Sequence, residues 1–292
     1  MTTSLPHTDL SSHAEVAFEK YEGLRNDFLL VDERERGPEP ALSLATRVAL
    51  CDRHAGVGAD GVLTLLPPRD GRAKARMHIT NADGSVPEMC GNGVRCVSRW
   101  LYDQGLVELR EEHFVDTDGG LMRCVVLDDG VSVELPAPDF RAASLGGELR
   151  QQEIEVCGER YVGTAVSMGN PHLVLHVHAP PDEALVRRAG PALEHDPRFP
   201  NGANVGFAHV SGELALDLVV WERGAGLTEA CGTGACAAVA AFTDARIFPP
   251  GAPVRVKLPG GVLTIRVAAD GSGVTMTGPA RRVFEGRTRK GR

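Results

Sequence analysis

The sequence lacks the features that would place the chain in a membrane or outside the cell. No apolar run approaches the roughly 20 residues of a membrane-spanning helix. The stretch Met1 to His13 is polar and has no secretory leader core. Residues 1–17 therefore read as a disordered tail, and the expected setting is cytoplasmic. Positive charge is also in short supply, with Lys+Arg 31 against Asp+Glu 39 and a net charge of −8. That balance excludes a broad nucleic-acid-binding face but leaves room for a local basic pocket. Cysteines stand at 51, 90, 96, 124, 157, 231 and 236, an odd number with no leader, which argues against a disulfide framework. No Cys-x-x-Cys occurs, and neither Cys90/Cys96 nor Cys231/Cys236 has a zinc-ligand spacing, so no metal is expected. Nothing marks a lysine for pyridoxal phosphate, and no cofactor is expected.

What is present is a pair of matched turns. Met89-Cys90-Gly91-Asn92-Gly93 and Ala230-Cys231-Gly232-Thr233-Gly234 each set a cysteine before Gly-x-Gly, and each opens a helical run, Val94 to Leu101 and Ala235 to Phe242. A helix start offers unpaired N–H groups and the positive end of the helix dipole, which suit a carboxylate or phosphate. The same environment lowers a thiol's pKa, so thiolates accessible near neutral pH are expected at both turns. Two such thiols form an acid and a base for one small anion.

A chain of 292 residues makes two domains of ordinary size. Strands are predicted at 28–31, 62–66, 77–80, near Phe114, and at 122–126 and 131–135. A helix starts at Ser43, with Leu44, Val48 and Cys51 on one face. Gly56-Val57-Gly58-Ala59-Asp60-Gly61 matches G-x-G-x-x-G literally, but here a helix precedes the glycines and a strand follows. A dinucleotide fingerprint needs the reverse order, so that reading is rejected. Pro136-Ala137-Pro138 marks a boundary. Beyond it strands are predicted at 161–166, 173–177, 205–209, 214–221, 254–258, 262–267 and 274–277, with a helix at 183–189.

The pattern repeats. The cysteine turns are 141 residues apart (231 − 90), as are Gly119-Gly120 and Gly260-Gly261 (260 − 119), while Asn26 and Asn170 differ by 144 (170 − 26). The expected fold is therefore α/β of the α+β kind. It has two pseudo-symmetric domains, each a curved sheet or barrel around a central apolar helix, with the active site in the cleft between them. The expected boundaries are 18–134 plus 279–292 for the first domain and 135–278 for the second.

With these blocks in view the chain resembles the diaminopimelate epimerases, from about Gly23 to Gly278. The resemblance is carried by Asn26-Asp27-Phe28, Asn81-Ala82-Asp83-Gly84-Ser85, the first cysteine turn through Val94-Arg95-Cys96, and Met168-Gly169-Asn170-Pro171-His172. Asn204-Val205-Gly206-Phe207 and Glu222-Arg223-Gly224 with the second turn complete it. It implies a cofactor-free epimerase interconverting LL- and meso-diaminopimelate for lysine and cell-wall precursors, and a homodimer. It also implies catalytic Cys90 and Cys231, and substrate contacts at Asn26, Asn81, Gly91, Asn92, Asn170, Asn204, Glu222, Arg223, Gly232 and Thr233. His172, with Glu222, would support catalysis. Three positions depart from the usual pattern: Gly61 where some members carry Gln, Arg25 in place of a small residue, and Leu227 where Glu is common.

The residue types fit the chemistry. Inverting an α-carbon needs a base on one face and an acid on the other, and two tunable thiols serve both roles. Amides at Gly91-Asn92 and Gly232-Thr233 would stabilise charge developing on the substrate carboxylate. Arg223 suits a distal carboxylate, Glu222 an ammonium, and the asparagines a zwitterion. Plainer roles are assigned elsewhere: Cys51, Cys96, Cys124, Cys157 and Cys236 read as small hydrophobes, and Asn201 as a turn former. His172 as a satisfied strand-edge histidine and Glu222-Arg223 as a surface ion pair stay open. The rivals are a proline racemase-like or hydroxyproline epimerase, disfavoured by Asn92 where His is usual and by Glu222-Arg223, and a non-catalytic amino-acid-binding protein, which would not need both cysteines. A thiol redox protein would want its cysteines close in sequence.

Overall fold

The computed structural model describes residues 15–87 and 90–289. In chain order the first half holds β1 (Glu15–Gly23), β2 (Asn26–Asp32), α1 (Leu44–Cys51), β3 (Gly61–Leu66) and β4 (Ala73–Asn81). It continues with α2 (Gly91–Asp103), β5 (Glu112–Thr117), β6 (Gly120–Leu127) and β7 (Gly130–Pro136). The second half holds β8 (Gln152–Val156), β9 (Glu159–Ser167), β10 (Pro171–His176), α3 (Glu183–Glu194), β11 (Asn204–Gly212) and β12 (Ala215–Glu222). After these come β13 (Gly226–Leu227), α4 (Gly232–Asp244), β14 (Val254–Leu258), β15 (Gly261–Val267) and β16 (Gly273–Gly278). A last strand, β17 (Arg281–Arg289), returns to pair antiparallel with β1.

The duplication read from glycine spacings is a duplication of strand pairing. From β1 to β7 successive pairs run antiparallel, parallel, antiparallel, parallel, antiparallel, antiparallel. From β9 through β10, β11, β12, β14, β15 and β16 the order is the same. Each parallel step needs a crossover, and a helix supplies it: α1 and α2 in one half, α3 and α4 in the other. The halves join where β7 pairs antiparallel with β16, from Val131↔Gly278 to Pro136↔Gly273.

Helices α2 and α4, 13 residues each, run through the middle of the two cores. The Ala-rich α4 is buried from Gly232 through Phe242 and packs on Val166, Leu218, Val220, Val256 and Ile265. Its uniform apolarity is what a helix enclosed by sheet requires. Around α2 the core contains Leu63, Met77, Val97, Leu101, Val115 and Val131. Each fully buried aliphatic side chain of this kind contributes roughly 1.5–3 kcal/mol. Helix α1 starts where expected, with Ser43 Oγ accepting from Thr46 N.

One expectation is corrected. Residues 15–17, placed in a disordered tail, are the start of β1; Val16 and Phe18 alternate into a small core with Leu29, Leu50 and Val62. Residues 1–14 lie outside the described residues, as does Met89 of the first cysteine turn. The order around Gly56–Gly61 is α1 before and β3 after, and the glycines serve close packing: a Cβ on Gly56 would lie 2.2 Å from the Ala49 carbonyl.

Candidate active site

Strand β4 ends at Asn81 and its loop leads to Cys90, the N-cap of α2; β12 ends at Glu222 and its loop leads to Cys231, the N-cap of α4. The pseudo-twofold relation brings these helix starts together. Asn92 Nδ2 donates to the Ala230 carbonyl across the halves (3.2 Å) and to Asn26 Oδ1 (3.1 Å). Met276 of β16 packs beneath both starts. A Cβ on Gly91 would sit 2.5 Å from its Cε, and one on Gly232 would sit 3.0 Å from its Sδ. A side chain at either position would have to displace the end of this methionine. The helix starts open onto one cleft of about 1260 Å³, whose walls include Cys90 and Cys231.

The two thiols have different partners. Cys90 Sγ accepts from the Gly93 amide at 3.2 Å. Cys231 Sγ lies 3.7 Å from Thr233 Oγ1, and the Glu222 charge bears on the thiol. Cys90 thus accepts from a backbone amide, whereas Cys231 faces a hydroxyl and a carboxylate charge. The expectation of lowered thiol pKa values is reversed. Burial pushes Cys90 up to about 11, against the Gly93 N–H and the Arg95 charge, while the Glu222 charge adds to the rise. Burial and then Glu222 raise Cys231 well above the ordinary value. Removal of the thiols from water outweighs the helix ends here.

Of the residues expected at the site, Asn26, Asn81, Gly91, Asn92, Glu222, Gly232 and Thr233 line the cleft with the two cysteines. Asn92 Oδ1 is buried without a hydrogen-bond partner, which leaves an acceptor at the meeting of the two helix starts. Burial raises the Glu222 carboxyl, and Thr228 Oγ1 donates to it at 2.6 Å. Asn170, His172, Asn204 and Arg223 are not part of the wall. Asn170 Nδ2 donates to Thr233 Oγ1 (3.3 Å), and His172 Nε2 lies 3.0 Å from Asn170 Oδ1, which places the ring proton on Nε2. His172 is 1% exposed, and burial with the nearby Arg223 charge pulls it down to about 3, so it is neutral at any working pH. Asn204 bridges the Pro171 carbonyl (3.0 Å) and the Arg223 amide (3.0 Å). Arg223 reaches the carbonyl of Asn201 at 3.3 Å and is flanked by the cleft-lining Glu222 and Gly224.

Sequence reading missed a charged cluster on the first-half wall. Asp60 Oδ2 accepts from Asn26 Nδ2 (2.8 Å) and from the Asp27 amide (3.1 Å), while Asp60 Oδ1 pairs with Arg53 (2.7 Å). Asp27 pairs with Arg53 (2.7 Å) and Lys20 (2.6 Å), and despite burial these two cations hold it below the usual carboxylate range. The signal was the aspartate inside the rejected glycine match. Gly61 beside it cannot take a side chain without a backbone shift, since a Cβ would lie 2.8 Å from the Thr80 carbonyl. Arg25 occupies the left-handed region (φ 65°) in the β1–β2 turn, with an exposed ion pair to Glu229 of the other half (3.8 Å). Leu227 pairs with Trp221 in β13 and forms part of the cleft wall. Among the described residues no group of three His, Cys, Asp or Glu side chains could hold a metal ion.

This duplicated scaffold, with a helix start from each half at a shared cleft, defines a structural class that includes racemases and epimerases. A hydroxyproline epimerase from Agrobacterium vitis, solved with trans-4-hydroxy-L-proline, superposes with a TM-score of 0.71 at 16% identity, covering 95% of this chain and 92% of that one. A phenazine biosynthesis protein of the PhzF family from Bacillus anthracis superposes with a TM-score of 0.69 at 18% identity, covering 94% and 99%. Sequence narrows the class. The chain belongs to the diaminopimelate epimerase family, whose model matches residues 18–139 and 164–283. A diaminopimelate epimerase from Synechococcus sp. (strain JA-3-3Ab) is 45% identical over 284 residues, covering 94% of this chain and 98% of the relative. One from Alkalilimnicola ehrlichii is 46% identical over 283 residues, covering 94% and 99%.

Proposed function

We propose that the chain interconverts LL- and meso-diaminopimelate without a cofactor, by moving a proton across the α-carbon between Cys90 and Cys231, in the supply of lysine and peptidoglycan precursors. The observation that carries this reading is that the two cysteines cap equivalent helices whose starts are bound together by Asn92 and Ala230 at one cleft. A substrate α-carboxylate between the helix starts meets first-turn N–H groups at Gly91-Asn92 and Gly232-Thr233, which have no acceptor within their helices. As the α-proton leaves toward one sulfur, charge flows onto that carboxylate where these donors already point. The opposite thiol then delivers its proton to the other face, and the carbanion is consumed.

The distal ammonium is assigned to Glu222 and the distal carboxylate to Arg223. Asn26, Asn81, Asn170 and Asn204 serve the polar groups between, directly or by holding their neighbours. The chain of Asn170 and His172 behind Thr233 keeps the Cys231 side ordered and uncharged. The working division is residues 18–134 plus 279–292 against 135–278, supported by the return of β17 to β1. Self-association as a homodimer is supported by the exposed Val283 and Phe284 on that outer strand. A cytoplasmic setting accords with seven free cysteines, and among the described residues no helix is long and apolar enough to cross a membrane.

The test is to incubate the purified protein in D₂O with LL-diaminopimelate and, separately, with L-proline, adding no cofactor. Early meso product should carry deuterium at the inverted carbon, because the delivering thiol exchanges with solvent between turnovers, while unreacted LL-substrate carries much less. Turnover of proline alone would transfer the reading to the proline racemase-like rival. Turnover of neither would leave the binding protein.

A further inference from the structure

Helix α3 ends on a buried carboxylate. Glu194 is its last residue and is 7% exposed. A negative charge there meets the negative end of the helix dipole and gives up most of its water, so neither helix formation nor packing accounts for it. Both of its oxygens are engaged. Oε2 accepts from the Trp221 indole N–H at 2.7 Å, and Oε1 accepts from the Gly224 amide at 2.8 Å. The exposed His195 ring lies farther off, 4.0 Å from Oε1. The two close partners are donors that cannot accept. A carboxylate satisfies both, whereas a neutral amide of the same size would turn its own NH₂ toward one of them.

The residues so held bracket Glu222 and Arg223. Trp221 precedes them in β12 and packs on Gly190 of α3, where a Cβ would lie 2.6 Å from the indole Cγ. Gly224 follows them with a left-handed φ of 77°, in a turn closed by the Ala225 amide on the Glu222 carbonyl (3.1 Å). Between the two, the Arg223 amide donates to Asn204 Oδ1 (3.0 Å). The Glu194 carbonyl adds a further tie, accepting from the Ala203 amide (3.0 Å). Gly202 fits between that carbonyl and the Arg223 side chain, with a Cβ there lying 3.1 Å from the one and 3.4 Å from the other. Glu194 thus braces from behind a turn whose Glu222 and Gly224 face the cleft, while it is not itself part of the wall.

We propose that Glu194 is a positioning residue for the distal end of the substrate: by holding Trp221 and Gly224 it sets how Glu222 and Arg223 meet the distal ammonium and carboxylate. It touches no reacting atom, and the helix starts that receive the α-carboxylate are joined to each other separately, through Asn92 and Ala230. Loss of Glu194 therefore weakens binding and leaves the proton transfer little changed. The inference rests on the assignment of Glu222 and Arg223 to the distal end.

The test compares KM and kcat for LL-diaminopimelate in the wild type, Glu194→Gln, Trp221→Phe and the double variant. Glu194→Gln should raise KM at least about tenfold, the scale of a hydrogen bond to a charged group, with kcat little changed. A merely structural residue would instead lower the active fraction, and so kcat, at constant KM. Trp221→Phe removes one of the two donors, so in the double variant the single amide oxygen of Gln can serve Gly224, and most of the loss in KM should be restored. A Glu194→Gln protein with the wild-type KM, or a double variant no better than Glu194→Gln, overturns the proposal. A second measurement needs no Glu194 variant to fold. The chain has two tryptophans, and adding diaminopimelate to the wild type should shift the indole N–H signal of Trp221 in the nitrogen–proton NMR spectrum. The signal of Trp100, which donates to Glu19 at 2.8 Å, should stay in place. An unmoved Trp221 signal at saturation also overturns the proposal. Absent turnover in the wild type would instead remove the epimerase reading, and the indole shift, which requires binding alone, keeps the two failures apart.

Discussion

Asn92 Nδ2 donates to the backbone carbonyl of Ala230, the residue immediately before Cys231, at 3.2 Å. The second residue of one central helix thereby fixes the approach to the other, and the same amide also holds Asn26. A side chain expected to bind substrate also ties the two halves together at the cleft.

The cysteine pair gives the sharpest test. Cys90→Ala and Cys231→Ala should each lower epimerisation by at least about a thousandfold, the scale of losing an acid or base group, with folding retained by circular dichroism. Cys157→Ala changes an exposed side chain and should stay within about 0.5 kcal/mol of wild-type stability. Substantial turnover by either of the first two variants would remove the two-thiol mechanism.

The pH dependence follows from burial. With Cys90 raised to about 11, its thiolate fraction grows with pH, so kcat/KM should climb by roughly tenfold per unit across the neutral and mildly alkaline range. His172, held at about 3, adds no limb near neutrality. Stability should move the other way. The unfolded chain loses the Cys90 proton first, so that contribution is whole below the ordinary cysteine range and lost as pH rises toward about 11. A flat rate profile from pH 6 to 9 would contradict the assignment of the base.

Asp60→Asn should act on substrate binding through Asn26. It removes the charged acceptor that Asn26 Nδ2 and the Asp27 amide share and breaks the pair with Arg53. Hydrogen bonds to charged groups contribute about 1.5–3 kcal/mol, so kcat/KM for diaminopimelate should fall at least about tenfold, mostly in KM. An unchanged KM in steady-state assays would show that Asn26 needs no such support.

Gly61→Ala probes the departure at that position. The new methyl would lie 2.8 Å from the Thr80 carbonyl, backbone that cannot rotate away. The expected cost is about 1–3 kcal/mol, measured as a lower denaturation midpoint in guanidinium. A wild-type midpoint would mean that β3 and β4 separate freely there.

The two central helices were legible because Cys-Gly-x-Gly is a local signal and its recurrence is countable. Most strands could be read from alternation, but β1, β8, β13 and β17 were missed: β13 is two residues long, and charged residues interrupt the period of the other three. The seam of β7 on β16 is a pairing across about half the chain, to which no local pattern points. Asn170 and His172 were read as site residues, and the structure sets them behind Thr233 because their polar groups satisfy one another. The thiol expectation failed on a quantity that sequence does not contain, the depth at which the helix starts are buried.

The return of β17 to β1 reverses the order of assembly relative to the order of synthesis. Residues 15–136 leave the ribosome first, yet their outer strand finds its neighbour only when residues 281–289 follow. The Pro279 carbonyl that receives Arg95, and Ala280 in the core around α2, arrive equally late. The segment from β8 to β16 can complete its own pairings before that moment. The half translated second is thus the half that can finish first, and a nascent chain halted before residue 279 would display β1 with an open edge.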